Sequence, residues 1–366
     1  MLKPFHRGDP HGYGTQTTGH WEKMVLSFAH SMLRFLLLTA CLSLLPLSAV
    51  AADSFYKGKT IIFIVGSAPG GGYDTYSRLL ANHLGEHLEG RPKVIPENMP
   101  GAGSIRAANY LYNSARKDGT AIGMLDEAIY LNQILGTQEL KADATKFNWI
   151  GRILANSAIL FARREAQVQK IEDVFNKELI VSTSGTASKL NWTVLKNALG
   201  MKFTLIQGYQ GTSDSMLAMQ RGEVDALSME WSILRITGEP LIRGQKVNLL
   251  LQTGVLKEPD LSQIPRMIDL GRNEDERKLL EFFSLPSLIG RSVLAPPGLR
   301  PERVAELRRA FMATMQDPLF LGDLKRARLE ISPLPGDELQ AVVAREGDFP
   351  AMLIERARRA AGMTGN

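Results

Sequence analysis

Thr60-Ile61-Ile62-Phe63-Ile64-Val65-Gly66-Ser67-Ala68-Pro69-Gly70-Gly71-Gly72-Tyr73-Asp74 decides the fold. Its first six residues are an unbroken β-branched and aromatic run, the pattern of a strand buried on both faces. The run stops at a cluster of Gly, Ser and Pro, and Asp74 opens a helical pattern that continues to about Leu88. A strand ending in small residues directly ahead of a helix is half of a βαβ unit.

The same unit recurs downstream. A short strand at 93–95 runs into Asn98-Met99-Pro100-Gly101-Ala102-Gly103, and Ser104 begins a second helix with Ala107, Ala108, Leu111 and Tyr112 at helical spacing. A third strand follows at 120–125. The pattern restarts at 178–181 with a strand, a small-residue loop over 182–188, and a helix at 190–199 closed by Gly200. A strand at 203–206 leads through Tyr209-Gln210-Gly211-Thr212 into a helix ending near Arg221, and strands follow at 224–227 and 247–251. The C-terminal third reads as helices over 300–316, 318–328 and 336–361. Two runs of alternating β and α predict an α/β protein with parallel sheets, folded as two lobes with a ligand cleft between them. With crossings placed near Leu154 and Gly254, one lobe takes residues 53–154 plus 255–366 and the other 155–254.

Four loops pass straight from a strand into a helix, at 70–72, 101–103, 184–188 and 211–213. A helix N-terminus carries unpaired N–H groups and partial positive charge, so it binds anions without Lys or Arg. Glycine lets a ligand approach the backbone, and Ser or Thr adds hydroxyl donors. Each loop read singly is explained as well by the needs of a tight turn. Four of them, two per lobe, point to an anion-holding cleft at the carboxyl ends of the strands. Gly101-Ala102-Gly103-Ser104-Ile105-Arg106 also half-matches the dinucleotide fingerprint, with Arg106 in place of the third glycine and Asp126 as a candidate ribose-binding acid.

Composition narrows the function. The 366 residues are 44% apolar with a net charge of +5, enough for a sizeable core. No dense basic stripe interleaved with aromatics supports a nucleic-acid partner. Cys41 is the sole cysteine, and only His83 and His87 fall after residue 52, so no thiol nucleophile or Cys-based metal site is expected in the body. His83 and His87 share a helix face but have no evident third ligand. No G-x-S-x-G occurs, and Asp74 reads as a helix cap that braces the glycine loop rather than as a base. No cofactor and no catalytic activity are expected. Trp149 and Trp192 read as packing residues, and Trp231 as the tryptophan nearest the cleft.

Residues 1–52 read as an N-terminal extension and signal peptide. An apolar run around 33–47 follows basic residues, and Ala49-Val50-Ala51 has the form of a cleavage site. Initiation at Met24 or Met32 gives a more ordinary leader than Met1, and a lipid-anchored Cys41 is the rival reading. Export to the periplasm is the expectation.

In order, these segments resemble the extracytoplasmic solute receptors of tripartite tricarboxylate transporters. Ala68-Pro69-Gly70-Gly71-Gly72-Tyr73-Asp74 is similar to that family's A-P-G-G-G-x-D, and Glu97-Asn98-Met99-Pro100-Gly101-Ala102-Gly103 to its E-N-x-P-G-A-G. Lys117-Asp118-Gly119-Thr120, Gly185-Thr186-Ala187-Ser188, Gly222-Glu223-Val224-Asp225 and Ala295-Pro296-Pro297-Gly298 fall at corresponding places. The resemblance implies a type II periplasmic-binding-protein fold, acting as a monomer, that captures a small organic carboxylate and delivers it to membrane permease subunits. An exported sensor or enzyme on the same scaffold is the alternative. It further implies that Ser67, Ala68, Pro69, Gly70, Gly71, Gly72, Asp74, Gly103 and Ser104 hold one carboxylate. Ser184, Gly185, Thr186, Ala187 and Ser188 would take the far end of the ligand, with Tyr209 on the wall. Where members often carry an Asp that meets a ligand amine, this sequence has Met229. Glu230 beside it either substitutes or simply starts a helix.

Overall fold

Thr60–Val65 (β1) is buried as its composition requires. Ile61 and Phe63 enter one hydrophobic core while Ile62 and Ile64 enter another on the opposite face. The computed structural model describes residues 54–363 apart from Asn156, Ser184, Gln210 and residues 346–348. The leader, with Cys41 and the Ala49-Val50-Ala51 site, lies outside the described residues.

β1 lies between β2 (Lys93–Asn98) and β3 (Ala121–Met124) and is parallel to both. Beyond β3 come β10 (Arg291–Ala295), β4 (Asn148–Leu154) and the short β11 (Leu334–Pro335), in the order β11-β4-β10-β3-β1-β2. The second sheet repeats this plan. Its parallel trio is β7 (Phe203–Ile206), β6 (Leu179–Ser182) and β8 (Ala226–Glu230), followed by β5 (Ala158–Arg163) and β9 (Val247–Gln252).

Both sheets are mixed rather than parallel. β5 runs antiparallel to β8, and β10 antiparallel to β3. These are the strands by which the chain enters the second sheet and returns to the first. Each crossing departs from the edge where the parallel strands end, so the receiving strand has to run away from that edge. The sequence reading missed β4, β5 and β10: Arg152 interrupts β4 and Arg291 opens β10, but β5 has an unbroken apolar run from Ala158 to Ala162. β5 is core, with Ile159 and Phe161 facing the central cluster and Leu160 and Ala162 facing a second.

Helices α1 (Gly72–Leu84), α2 (Ile105–Asn113) and α3 (Ile129–Ile134) belong to the first β/α run, and α4 (Thr186–Leu199) and α5 (Thr212–Arg221) to the second. Two short helices, α6 (Trp231–Thr237) and α7 (Glu239–Arg243), follow β8. After β9 come α8 (Glu274–Ser284), α9 (Pro286–Ile289), α10 (Pro301–Gln316), α11 (Pro318–Arg326), α12 (Gly336–Arg345) and α13 (Ala351–Ala360). The last two replace the single C-terminal helix expected from sequence. Pro350, the N-cap of α13, is a residue no helix interior accommodates cheaply. α8 and α13 pack against α4 on the second sheet's side. The lobe division at 53–154 plus 255–366 and 155–254 stands as a proposal, with α8 and α13 as its bridging elements.

His83 and His87 are not a metal pair. His83 Nε2 lies 2.7 Å from Asp323 Oδ2 and His87 Nε2 2.9 Å from Asp317 Oδ2, which ties α1 to α11. Among the described residues no group of three or more His, Cys, Asp or Glu is placed to hold a metal ion. Trp149 and Trp192 are buried in cores, and Trp231 packs on the central one.

Candidate ligand site between the two sheets

The helix-opening loops of both sheets meet at one cavity of about 240 Å³. Gly71, Gly185 and Gly211 are the N-caps of α1, α4 and α5; all three are extended and offer no side chain to cap the helix. The first N–H groups of these helices are therefore left for another partner. Of the residues expected from sequence, Ser67, Ala68, Gly71, Gly72, Gly103, Ser104, Gly185, Ala187, Ser188, Tyr209 and Glu230 line the cavity. Pro69, Gly70, Asp74 and Thr186 do not, and Ser184 lies outside the described residues.

Asp74 shapes the loop instead of meeting the cavity. Its Oδ2 accepts the Gly70 N–H at 2.9 Å and the Arg78 Nε–H at 2.9 Å, and its Oδ1 accepts from Asn98 Nδ2 at 2.9 Å. Asn98 Nδ2 also donates to the Ser67 carbonyl at 3.0 Å. The two sequence motifs are thus one bonded unit, in which the first loop's glycines are pinned from α1 and β2. Burial opposes ionisation of Asp74, but Arg78, the Gly70 N–H and Asn98 outweigh it and hold the carboxyl below its ordinary range. Asp74→Ala removes three hydrogen bonds whose donors, Gly70, Arg78 and Asn98, can turn to water, and should cost about 1–2 kcal/mol, read as a lower urea midpoint, with weaker ligand binding. An unchanged midpoint would contradict this role.

The second loop is wound tightly. Gly101, Ala102, Gly103 and Ser104 have φ of 140°, 46°, 57° and 71°. At Gly103 a Cβ would land on the Thr186 hydroxyl, which donates to the Gly103 carbonyl at 3.2 Å and so joins the two loop sets. Ser104 does not begin α2 but precedes it as its left-handed N-cap. Its hydroxyl donates to the Gly66 carbonyl and accepts the Asp126 N–H, both at 2.9 Å, so it ties loops together rather than standing free for a ligand.

Several cavity residues escaped the sequence reading: Tyr73, Glu127, Asn191 and Ser228, together with Asp126 in a role different from the one considered. Asp126 Oδ1 accepts the Ala128 N–H at 2.9 Å, and its carboxylate also takes the N–H groups of Thr186 and Ala187 in the first turn of α4. Burial pushes its pKa up to about 6; the Ala128 N–H opposes the rise and nearby Glu230 adds to it. Asp126 therefore sits against a helix of the second sheet, not beside a dinucleotide ribose.

Arg291, at the start of β10, is the residue that no local signal announced. It is 0% exposed and lies over the rings of Tyr73 and Tyr76, with its Cζ 4.5 and 5.2 Å from their centroids. Its Nη2 is 3.1 Å from Glu230 Oε1, an ion pair without hydrogen-bond geometry. Burial favours the neutral guanidine, but Glu230, the two tyrosines and Glu127 outweigh it and hold the group charged. The Arg291 guanidinium fills the space beside Gly72, where a Cβ would strike Nη2. Gly72 is required by this close approach, not by a turn. Glu230 accordingly does two things: it lines the cavity and balances Arg291. Among the described residues no Lys, Arg or His lines the cavity.

Solved structures share this architecture. BugD, a periplasmic binding protein, superposes with a TM-score of 0.66 at 23% identity, over 84% of this chain and 99% of that one. MatC from Rhodopseudomonas palustris with bound malate gives 0.62 at 20%, over 83% and 99%. R. palustris Rpa4515 with adipate gives 0.64 at 20%, over 83% and 97%. The fold is that of the two-lobed periplasmic binding proteins. A curated relative, the UPF0065 protein in the TAR-I ttuE-ttuC' intergenic region of Agrobacterium vitis, is 30% identical over 213 residues. That alignment covers 56% of this chain, and the chain spans 59% of the relative's length. Residues 77–355 match the family described as the tripartite tricarboxylate transporter family receptor. The chain belongs to that receptor family.

Proposed function

We propose that this receptor captures a small carboxylate-bearing molecule in the periplasm and hands it to the permease subunits of a tripartite tricarboxylate-type transporter, without catalysis. The observation that carries the reading is the opposition of two uncapped helix N-termini across the cavity, α1 at Gly71 and α5 at Gly211. The two are close, for a Cβ at Gly71 would stand 3.9 Å from the Thr212 hydroxyl. A carboxylate between them meets backbone N–H donors and the positive ends of two helix dipoles, and needs no cationic side chain. Bound malate and adipate in the fold neighbours support the same ligand class. The ligand bridges elements from both sheets, so closure of the lobes around it is the expected capture step.

Thermal unfolding of residues 54–366 against di- and tricarboxylates, aromatic acids, amino acids and neutral amides tests this directly. A ligand at a hundred times its Kd stabilises by about 2.7 kcal/mol, a visible rise in Tm. At least one carboxylate class should produce it. Stabilisation by neutral amides alone would overturn the reading.

A further inference from the structure

We infer that Asp126 is a specificity-determining residue: it fills the anion site at the N-terminus of α4 with the protein's own carboxylate, so the ligand has one carboxylate and not two. The inference rests on the carboxylate reading above and concerns the opposite end of the molecule.

Three glycine-capped helices open onto the cavity, but they are not equivalent. α1 and α5 carry acids in their own first turns, Asp74 and Asp214, but neither lines the cavity, so both helix mouths stay open to a ligand carboxylate. The first turn of α4 is engaged already, because Thr186 and Ala187 donate their N–H groups to Asp126. Asp126 Oδ2 stands 3.0 Å from the position a Gly185 Cβ would occupy, directly at the helix mouth. The side chain is held there from behind. Its Oδ1 takes the Ala128 N–H and its backbone N–H bonds the Ser104 hydroxyl, while the residue is only 9% exposed.

At the α4 mouth the first-turn N–H donors are already taken by Asp126, which leaves none there for a second carboxylate. A second carboxylate arriving here would meet Asp126 and Glu127 at close range, with no lining cation to offset them and with Arg291 already balanced by Glu230. Glu230 adds no acceptor for the ligand at this end. Its Oε1 faces Arg291, whereas its Oε2 is buried with no hydrogen-bond partner among the described residues. That oxygen has no surface open to the cavity and shares its burial with the Arg291 nitrogens, which likewise lack hydrogen-bond partners among the described residues, so Glu230 acts as the counter-charge of Arg291. The ligand class is therefore a monocarboxylate whose far end carries no negative charge, with a cationic ammonium favoured beside Asp126 and Glu127.

Two chain-length-matched triplets test this on residues 54–366 by calorimetric titration: adipate, 6-aminohexanoate and hexanoate, then succinate, 4-aminobutanoate and butanoate. In at least one triplet the amino acid should bind at least tenfold more tightly than the dicarboxylate, with the plain acid between them. Asp126→Asn leaves the α4 N–H groups without an anion and should shrink that ratio to within about twofold. A dicarboxylate that binds the wild type as tightly as its amino counterpart overturns the inference while leaving the carboxylate reading intact. An unchanged ratio in a folded Asp126→Asn protein overturns it too, and if that variant fails to fold the wild-type ratio decides alone. Binding of none of the six overturns this inference, and the carboxylate reading falls with it only if no other carboxylate class raises Tm.

Discussion

Arg291→Met should cost the protein about 3–5 kcal/mol, the magnitude seen when one partner of a buried ion pair is removed. The reason is geometric. Arg291 is fully buried, and its loss strands Glu230 in a wall already shared with Asp126 and Glu127. It also removes the cation from the faces of Tyr73 and Tyr76, where such contacts contribute on the order of 1–2 kcal/mol when desolvated. Adding Glu230→Gln should recover much of the loss, because the uncompensated charge goes with it. Urea unfolding of the two single variants and the double variant measures the coupling. A single-variant loss below about 1 kcal/mol would mean that the pair is not what holds β8 against β10.

The second large effect is a dependence on pH in an unusual direction. Burial raises the Asp126 pKa in the folded state to about 6, from an ordinary 3.8. A raised carboxyl pKa means that the folded protein binds this proton more tightly than the unfolded chain does. The group therefore costs nothing below about 3.8, and its penalty grows as pH rises from there to about 6 and is constant above. At about 1.36 kcal/mol per unit the full penalty is on the order of 3 kcal/mol. Stability should thus rise by about 1 kcal/mol as pH falls from 7 to 5. It should then decline near and below pH 4, where Asp74, Asp118 and Asp143, whose pKa values are lowered, lose their partners. Thermal unfolding across pH 3.5–8 measures the profile, and Asp126→Asn should flatten its upper limb. A Tm that falls steadily from pH 7 to 5 would contradict the burial assigned to Asp126.

How far the sequence reached depends on how local each signal was. Thr60–Val65 and the glycine cluster after it announce a doubly buried strand and a helix mouth, because both requirements fall on consecutive residues. The loops that meet at the cavity were readable for the same reason. Asp74 was recognisable as a brace, although its bond to Asn98 depends on a pairing of β1 with β2 that no short window contains. Arg291 had no such signal. An arginine after Gly290 reads as the exposed start of a strand, and only the antiparallel insertion of β10 beside β3 drives it under Gly72. Asp126 was visible as an acid after a strand, but its partner is sixty residues away on another sheet, so the only local role it suggested was that of a candidate ribose contact. The mixed sheets have the same cause, since strand direction follows from where the chain crosses.

Gly71→Val tests most directly whether the ligand binds between the α1 and α5 N-termini. Gly71 has φ of −84°, which valine adopts freely, and a Cβ there finds its nearest neighbour at 3.9 Å, so the added side chain occupies the cavity without disturbing the fold. Calorimetric titration with the carboxylate that raises wild-type Tm most should show one site in the wild type and at least tenfold weaker binding in Gly71→Val, with Tm of the free variant lowered by no more than a few degrees. Equal affinity in the two proteins would place the carboxylate elsewhere and contradict the account.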